Sequence, residues 1–277
     1  MLDLGFQVLV MGVQSMSTEY ESTKEPTAIQ DYDKEVFHAY LPNGHEIIHD
    51  VYSIGNGPPI ILIQELPGIG SATLRLADKI VEAGYQVVLP HLFGPIGHLS
   101  IAGNIARVFC MRKEFSIFSS NGSSPIALWL RELCRQKKSE QSVKGVGVIG
   151  MCLTGNFAFS LIADDSVLAA VASQPSLPIG KHDDLHMSDK QINTVRDRLK
   201  EIGPMKMLRF EEDWMCSSKK QKAIDKVFNC DNQVLVEKHI IPGKGHAVLT
   251  QDFVDKEGHP TKAAFDSMMS YFKKQLK

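Results

Sequence analysis

The sequence predicts an α/β fold: a mostly parallel sheet with helices on both faces and an antiparallel hairpin at its N-terminal edge. Three observations carry this. From residue 59 to the C-terminus, strand-like stretches alternate with helical ones, the pattern of a parallel sheet covered by crossover helices. Pro59 to Leu66 (PIILIQEL) is an apolar run that ends in a charge, as suits a strand buried on both faces. Val36 to Leu41 and Glu46 to Ile54 both favour strand and are separated by Pro42-Asn43-Gly44, where Asn and Gly tolerate positive φ and close a hairpin.

The elements follow in order. Thr73 to Ala83 reads as a helix, with Leu74, Ala77, Ile80 and Val81 on one side and Gly84 just past its end, the usual stop. Tyr85 to Pro90 reads as strand. Ser124 to Lys138 reads as helix, with Pro125 in the first turn and Lys137-Lys138 in the last, as the helix dipole favours. Strands are expected over Gly145 to Gly150, Ala169 to Ser173, Met205 to Phe210 and Val234 to Ile241. The helices between and after them are Thr154 to Ala163, Lys190 to Ile202, Ser217 to Phe228 and Thr261 to Leu276. Phe265, Met268, Met269 and Phe272 of the last helix are expected in the core. The pairs Lys137-Lys138, Lys219-Lys220 and Lys273-Lys274 are expected on solvated helix faces.

A chain of 277 residues can form one large domain or two small ones. No internal repeat or linker divides it. We expect a loosely ordered leader over 1–35, where the polar run SMSTEYESTKEPTAIQDYDK falls, and one domain over 36–277. Residues 93–123 are the least regular part of that domain, and such inserts often form lids or binding loops.

Composition narrows the function classes. With 30 Lys+Arg against 32 Asp+Glu, the net charge of -2 gives no reason to expect a nucleic-acid partner or an anionic membrane. No stretch approaches the about 18 apolar residues of a membrane span. The apolar start MLDLGFQVLVMGV lacks the basic n-region of a signal peptide. The five cysteines are odd in number and follow neither a disulfide framework nor a zinc spacing. Reduced thiols in the cytoplasm are expected.

In open parallel sheets, ligands sit beyond the carboxyl ends of the strands. The residues there are Glu65, His91, Cys152, Gln174, Glu211 to Asp213, and His246. Cys152 stands where the strand VGVIG turns into a helix. A sharp strand-to-helix corner lifts one side chain clear of the sheet and needs small neighbours, which Gly150 supplies. The amides of the following helix favour a thiolate, and the Leu153 amide faces the place where an oxyanion would form. The competing reading is a buried cysteine acting as a small hydrophobe, so partners must decide. Asp213 follows the strand KMLRF and His246 follows VLVEKHII in Pro242-Gly243-Lys244-Gly245-His246. The order nucleophile, acid, histidine belongs to hydrolases built on such a corner. Glu211 and Glu212 compete for the acid role, and His91 and His239 for the base.

Together these residues resemble the dienelactone hydrolase family of α/β-hydrolases, from about residue 36 onward. The likeness rests on Gln64-Glu65, Gly84-Tyr85, Pro90-His91-Leu92-Phe93-Gly94, Gly150-Met151-Cys152-Leu153, Arg209-Phe210 before Asp213, and Gly245-His246. It implies an α/β-hydrolase-type sheet and a Cys152–His246–Asp213 triad that opens small esters or lactones through an acyl-enzyme. It implies that Glu65 holds the resting cysteine, and the Leu66 amide would be the second oxyanion donor beside that of Leu153. It further implies that an arginine in the insert holds a substrate carboxylate. Arg112 is the better match there than Arg107, and Arg209 either supplies a charge or anchors the acidic loop. Two departures stand out. Thr250 occupies a position where well-known members carry an arginine, which puts dienelactone itself in doubt as substrate. Thr154 occupies the place of an elbow glycine, which arrives one residue later at Gly155.

Two rivals remain. A non-catalytic relative would keep the pocket as a small-molecule binding module. A metal-dependent hydrolase would use His182-Asp183-Asp184-Leu185-His186, but Pro178 and Gly180 place that stretch in a loop, and it lacks the glutamate of the zinc-protease pattern. We therefore expect no cofactor and no metal, a small-molecule ester or lactone as partner, and a monomer or homodimer.

Overall fold

The computed structural model describes residues 25–66, 68–97, 124–176, 185 and 187–277. Arg107, Cys110 and Arg112 lie outside the described residues, as do His182, Asp183, Asp184 and His186.

Eight strands form one sheet in the order β1-β2-β4-β3-β5-β6-β7-β8. They are β1 (Asp33–Tyr40), β2 (Glu46–Ile54), β3 (Pro59–Ile63), β4 (Gln86–Pro90), β5 (Val146–Met151), β6 (Val167–Ser173), β7 (Met205–Phe210) and β8 (Val236–Ile241). The hairpin closes as expected, with Tyr40 paired to Glu46 and Gly44 at φ +79°. β2 is antiparallel to both its neighbours, and every pairing from β4 to β8 is parallel. The helices are α1 (Ser71–Glu82), α2 (Pro125–Glu140), α3 (Gly155–Leu161), α4 (Asp189–Ile202), α5 (Ser218–Phe228) and α6 (Pro260–Leu276). β1 begins three residues before the expected domain start, and the preceding Tyr32 is buried in the core.

The central strands are buried on both faces, and the two-residue period sorts their side chains into two cores. Ile61, Ile63, Val146, Val148, Ala170, Ala172, Met205 and Met207 face the core beneath α2–α5. Ile60, Leu62, Ile149, Met151, Ala169, Val171, Leu208 and Phe210 face the core beneath α1 and α6, where Phe265, Met268 and Phe272 are buried. Trp129 of α2 is fully buried and meets Phe37 of β1 edge-on, ring centroids 5.1 Å apart. Such a pair contributes about 0.5–1.5 kcal/mol beyond its buried area. It ties the hairpin to the first core.

One expectation fails at two lysines. Lys137 is buried, paired with Glu35 at 2.5 Å and Glu140 at 2.9 Å. Lys220 on α5 has no exposed surface at all. Residues adjacent in sequence point to different faces of a helix, so one member of each pair turns inward where a polar partner waits.

The order of β4, β3 and β5 reverses direction at β3, so β3 and β5 lead away on opposite sides. Their carboxyl ends border the crevice that such a switch point opens. Glu65 follows one and Cys152 the other.

Candidate active site

β5 delivers the chain to Cys152 at φ +53°, a region that costs a side-chain-bearing residue about 1–3 kcal/mol. The corner continues as a short 3-10 turn, Cys152–Thr154, and then α3. The surrounding contacts impose the conformation. A Cβ at Gly150 would stand 2.4 Å from the Thr154 carbonyl oxygen, and one at Gly155 would stand 2.9 Å from Cα of Pro175. Thr154 itself has ordinary helical dihedrals, φ -79° and ψ -12°, so glycine is not needed there. Its hydroxyl accepts from the Met151 amide at 3.0 Å and lies 2.9 Å from the Met151 carbonyl. Threonine at this position therefore closes the corner. Gly150→Ala should lose about 1–3 kcal/mol of stability through overpacking, to be read from the midpoint of urea unfolding; an unchanged midpoint would mean the corner relaxes freely.

Asp213 and His246 meet as expected. The Nδ1–H of His246 donates to Oδ2 of Asp213 at 2.8 Å. The other oxygen, Oδ1, accepts from the amides of Met215 at 2.9 Å and Cys216 at 3.0 Å, so the carboxylate is fixed on both sides. Its rivals Glu211 and Glu212 are exposed. The histidine loop is held by Asp252, whose Oδ2 accepts from the amides of His246 at 2.8 Å and Ala247 at 2.9 Å. Among rival bases, Nε2 of His91 bonds the Gly94 carbonyl, and His239 pairs with Leu208 inside the β7–β8 ladder.

Nε2 of His246 is buried and has no hydrogen-bond partner among the described residues. Burial opposes the imidazolium, but Cys152 and Asp213 outweigh it and hold the pKa well above the ordinary 6.5. A raised native pKa stabilises the fold fully below 6.5, and the contribution fades as pH rises through the native value. The stability gap between the native protein and His246→Gln should accordingly be widest near about pH 5 and shrink toward about pH 9. Denaturant unfolding across that range checks it, and a gap that grows with pH would contradict the sign.

Glu65 is buried, 3% exposed. One oxygen accepts from the hydroxyl of Thr250 and the other from Nε2 of Gln174 at 3.1 Å. Burial pushes its carboxyl up, against the pull of Thr250, His246 and Gln174. Both oxygens thus carry a hydrogen bond, and the sulfur of Cys152 lies 3.3 Å from Oγ of Ser176. Among the hydrogen bonds of the described residues, none joins Glu65 to the sulfur. Thr250, at the position of the missing arginine, serves to hold the glutamate.

The guanidinium of Arg209 is bonded within its own loop and to α5. It is buried and donates to the carbonyls of Cys216 at 2.6 Å, Glu211 at 2.9 Å and Asp213 at 3.4 Å, and to Gln221 at 3.1 Å. It anchors the acid loop. Leu66 and Leu153 each lie three residues past a paired position, Ile63 opposite Gly150, so both follow adjacent strand ends. Burial pushes the thiols of Cys134 and Cys216 upward, which keeps them protonated and unreactive. Among the described residues, no group of three His, Cys, Asp or Glu side chains could hold a metal ion, and no helix is long and apolar enough to cross a membrane.

Sequence reasoning missed Ser176, Asn156, Asp252 and the bonding role of Thr250. Ser176 lies two residues beyond Gln174, a strand-end position flagged in the sequence. That spacing was the one available signal.

A family model described as the dienelactone hydrolase family matches residues 50–276. Among solved structures, a protein of Klebsiella pneumoniae subsp. pneumoniae MGH 78578 assigned as a dienelactone hydrolase aligns with a TM-score of 0.62 at 15% identity, covering 87% of this chain and 99% of its own. A cold-adapted esterase from an Arctic intertidal metagenomic library aligns at 0.57 and 13%, covering 94% of this chain and 100% of its own. A dienelactone hydrolase-like promiscuous phosphotriesterase from metagenomic libraries aligns at 0.57 and 12%, covering 89% and 99%. At these identities the likeness concerns the fold. No match is found among curated proteins.

Proposed function

The chain belongs to the dienelactone hydrolase family, and from that premise we propose that it is a carboxylic ester hydrolase opening small esters or lactones through a Cys152–His246–Asp213 triad and an acyl-enzyme. One observation carries the reading: the 2.8 Å bond from His246 Nδ1 to a doubly anchored Asp213 leaves Nε2 unpaired beside the strained Cys152. A base oriented by an acid and left open toward a nucleophile is the triad arrangement.

In the reaction, Nε2 of His246 holds the proton of Cys152 and the thiolate attacks the acyl carbon. The amides of Leu66 and Leu153 stabilise the oxyanion. Collapse expels the alkoxide, which takes the proton from His246, and leaves a thioester on Cys152. The now neutral imidazole takes a proton from water, hydroxide attacks the thioester, and the acid departs as the thiolate is restored. Amide substrates have a poorer leaving group, so esters and lactones are favoured over peptides. We assign Glu65, held by Thr250 and Gln174, to substrate binding, and Arg112 to a substrate carboxylate. The free thiols of the described residues suit a reducing compartment such as the cytoplasm.

The test is turnover of a small activated aryl ester and of an unsaturated lactone, with intact-mass detection of an acyl adduct during the burst. Turnover of either compound with an adduct that maps to Cys152 is the expected result. No turnover and no adduct would favour a binding module of the same fold.

A further inference from the structure

A run of hydrogen bonds that the triad does not use ends on the sulfur of the nucleophile. Ser176, 1% exposed, lies in the loop after β6. Its amide donates to the Cys152 carbonyl at 3.1 Å, and its Oγ stands 3.3 Å from Cys152 Sγ. Its carbonyl accepts from Nδ2 of Asn156 at 3.0 Å, and the same Nδ2 donates to the Leu153 carbonyl at 3.1 Å. Oδ1 of Asn156 accepts from Nζ of the fully buried Lys220 at 2.9 Å. The serine backbone is therefore fastened to the corner at both its N–H and its C=O, and the fastening side chain is itself held from α5.

We propose that Ser176 is a positioning residue for Cys152: its hydroxyl donates to the thiolate, and the Asn156–Lys220 clamp keeps it there. The inference rests on Cys152 being the nucleophile. With a neutral thiol, either group can donate. A thiolate only accepts, so the hydroxyl proton must turn toward sulfur. Hydrogen bonds to a charged partner are stronger than neutral ones, and a donor already fixed in place needs no reorganisation when the charge forms. Removing it raises the energy of the thiolate relative to the thiol, and the thiol pKa rises. The clamp also explains why Lys220 points inward.

The test is the pH profile of Cys152 alkylation by iodoacetamide, followed by intact mass, with Cys152→Ala setting the background from other thiols. Ser176→Ala should move the midpoint upward by about one pH unit and slow alkylation about ten-fold at pH values below the native midpoint. The fall in ester turnover should appear in kcat rather than KM, and Ser176→Thr, which keeps the hydroxyl, should restore the native midpoint. Ser176→Gly gives the same reading if alanine impairs folding. A midpoint unchanged in the variants lacking the hydroxyl overturns the proposal and leaves the triad intact. Native protein alkylated no faster than Cys152→Ala overturns the triad reading and this inference with it.

Discussion

Cys152→Ala is expected to reduce ester turnover by about 10⁵-fold or more, because it removes the atom that forms the acyl bond and leaves only binding and oxyanion stabilisation. The substitution should cost little stability. The residue is 7% exposed, and losing its sulfur removes the contact with Oγ of Ser176 while the backbone bond from Ser176 to the residue 152 carbonyl remains. Cys152→Ser is expected to retain no more than about 1% of turnover, since a hydroxyl stays protonated where a thiol ionises. Steady-state kinetics on an aryl ester, with unfolding midpoints as the control, decide the matter. Alanine activity within a few-fold of native would mean that Cys152 is a core residue and that another group does the chemistry.

Asp213→Asn is expected to lower kcat by about 10³-fold, for a reason specific to this loop. The amides of Met215 and Cys216 both donate to Oδ1. A carboxamide must keep its oxygen on those two donors, so its NH₂ turns toward Nδ1 of His246. That nitrogen then has to accept, and the ring proton moves to Nε2. An imidazole already protonated at Nε2 cannot take the proton of the thiol. The variant should retain the fold, lose kcat and show slower alkylation of Cys152 at neutral pH. Glu211→Gln and Glu212→Gln should behave like the native protein, since both side chains are exposed. If either of these loses activity while Asp213→Asn keeps it, the acid has been misassigned.

Much of the site could be read from local pattern. Cys152 follows its strand directly, Asp213 and His246 each follow one by a short loop, and the carboxyl ends of a parallel sheet share one edge whatever lies between them. The preference for Asp213 over its two glutamate neighbours could be argued from motif, and its burial supplies the physical reason. Thr154 looked like a flaw in the corner because the sequence records only a missing glycine. The structure turns that side chain onto the Met151 backbone, an outcome that depends on a rotamer and a neighbour. The lysine pairs misled in the same way. A charge pair on a helix is usually solvated, but Lys137 reaches Glu35 on β1 and Lys220 reaches Asn156 on α3.

The sequence by itself determined the strand and helix order, the hairpin, the doubly buried strands and the strand-end positions of Cys152, Asp213 and His246. It did so because apolar periodicity, turn residues and strand-end position are local quantities. Tertiary structure alone decided the hydrogen-bond partners: Glu65 with Thr250 and Gln174, Arg209 with the acid loop, Ser176 with the thiol, and Asp252 with the histidine loop. Those bonds join residues from different strand ends. A polar side chain at such an end has several partners within reach, and the packing of the whole sheet selects which one it meets.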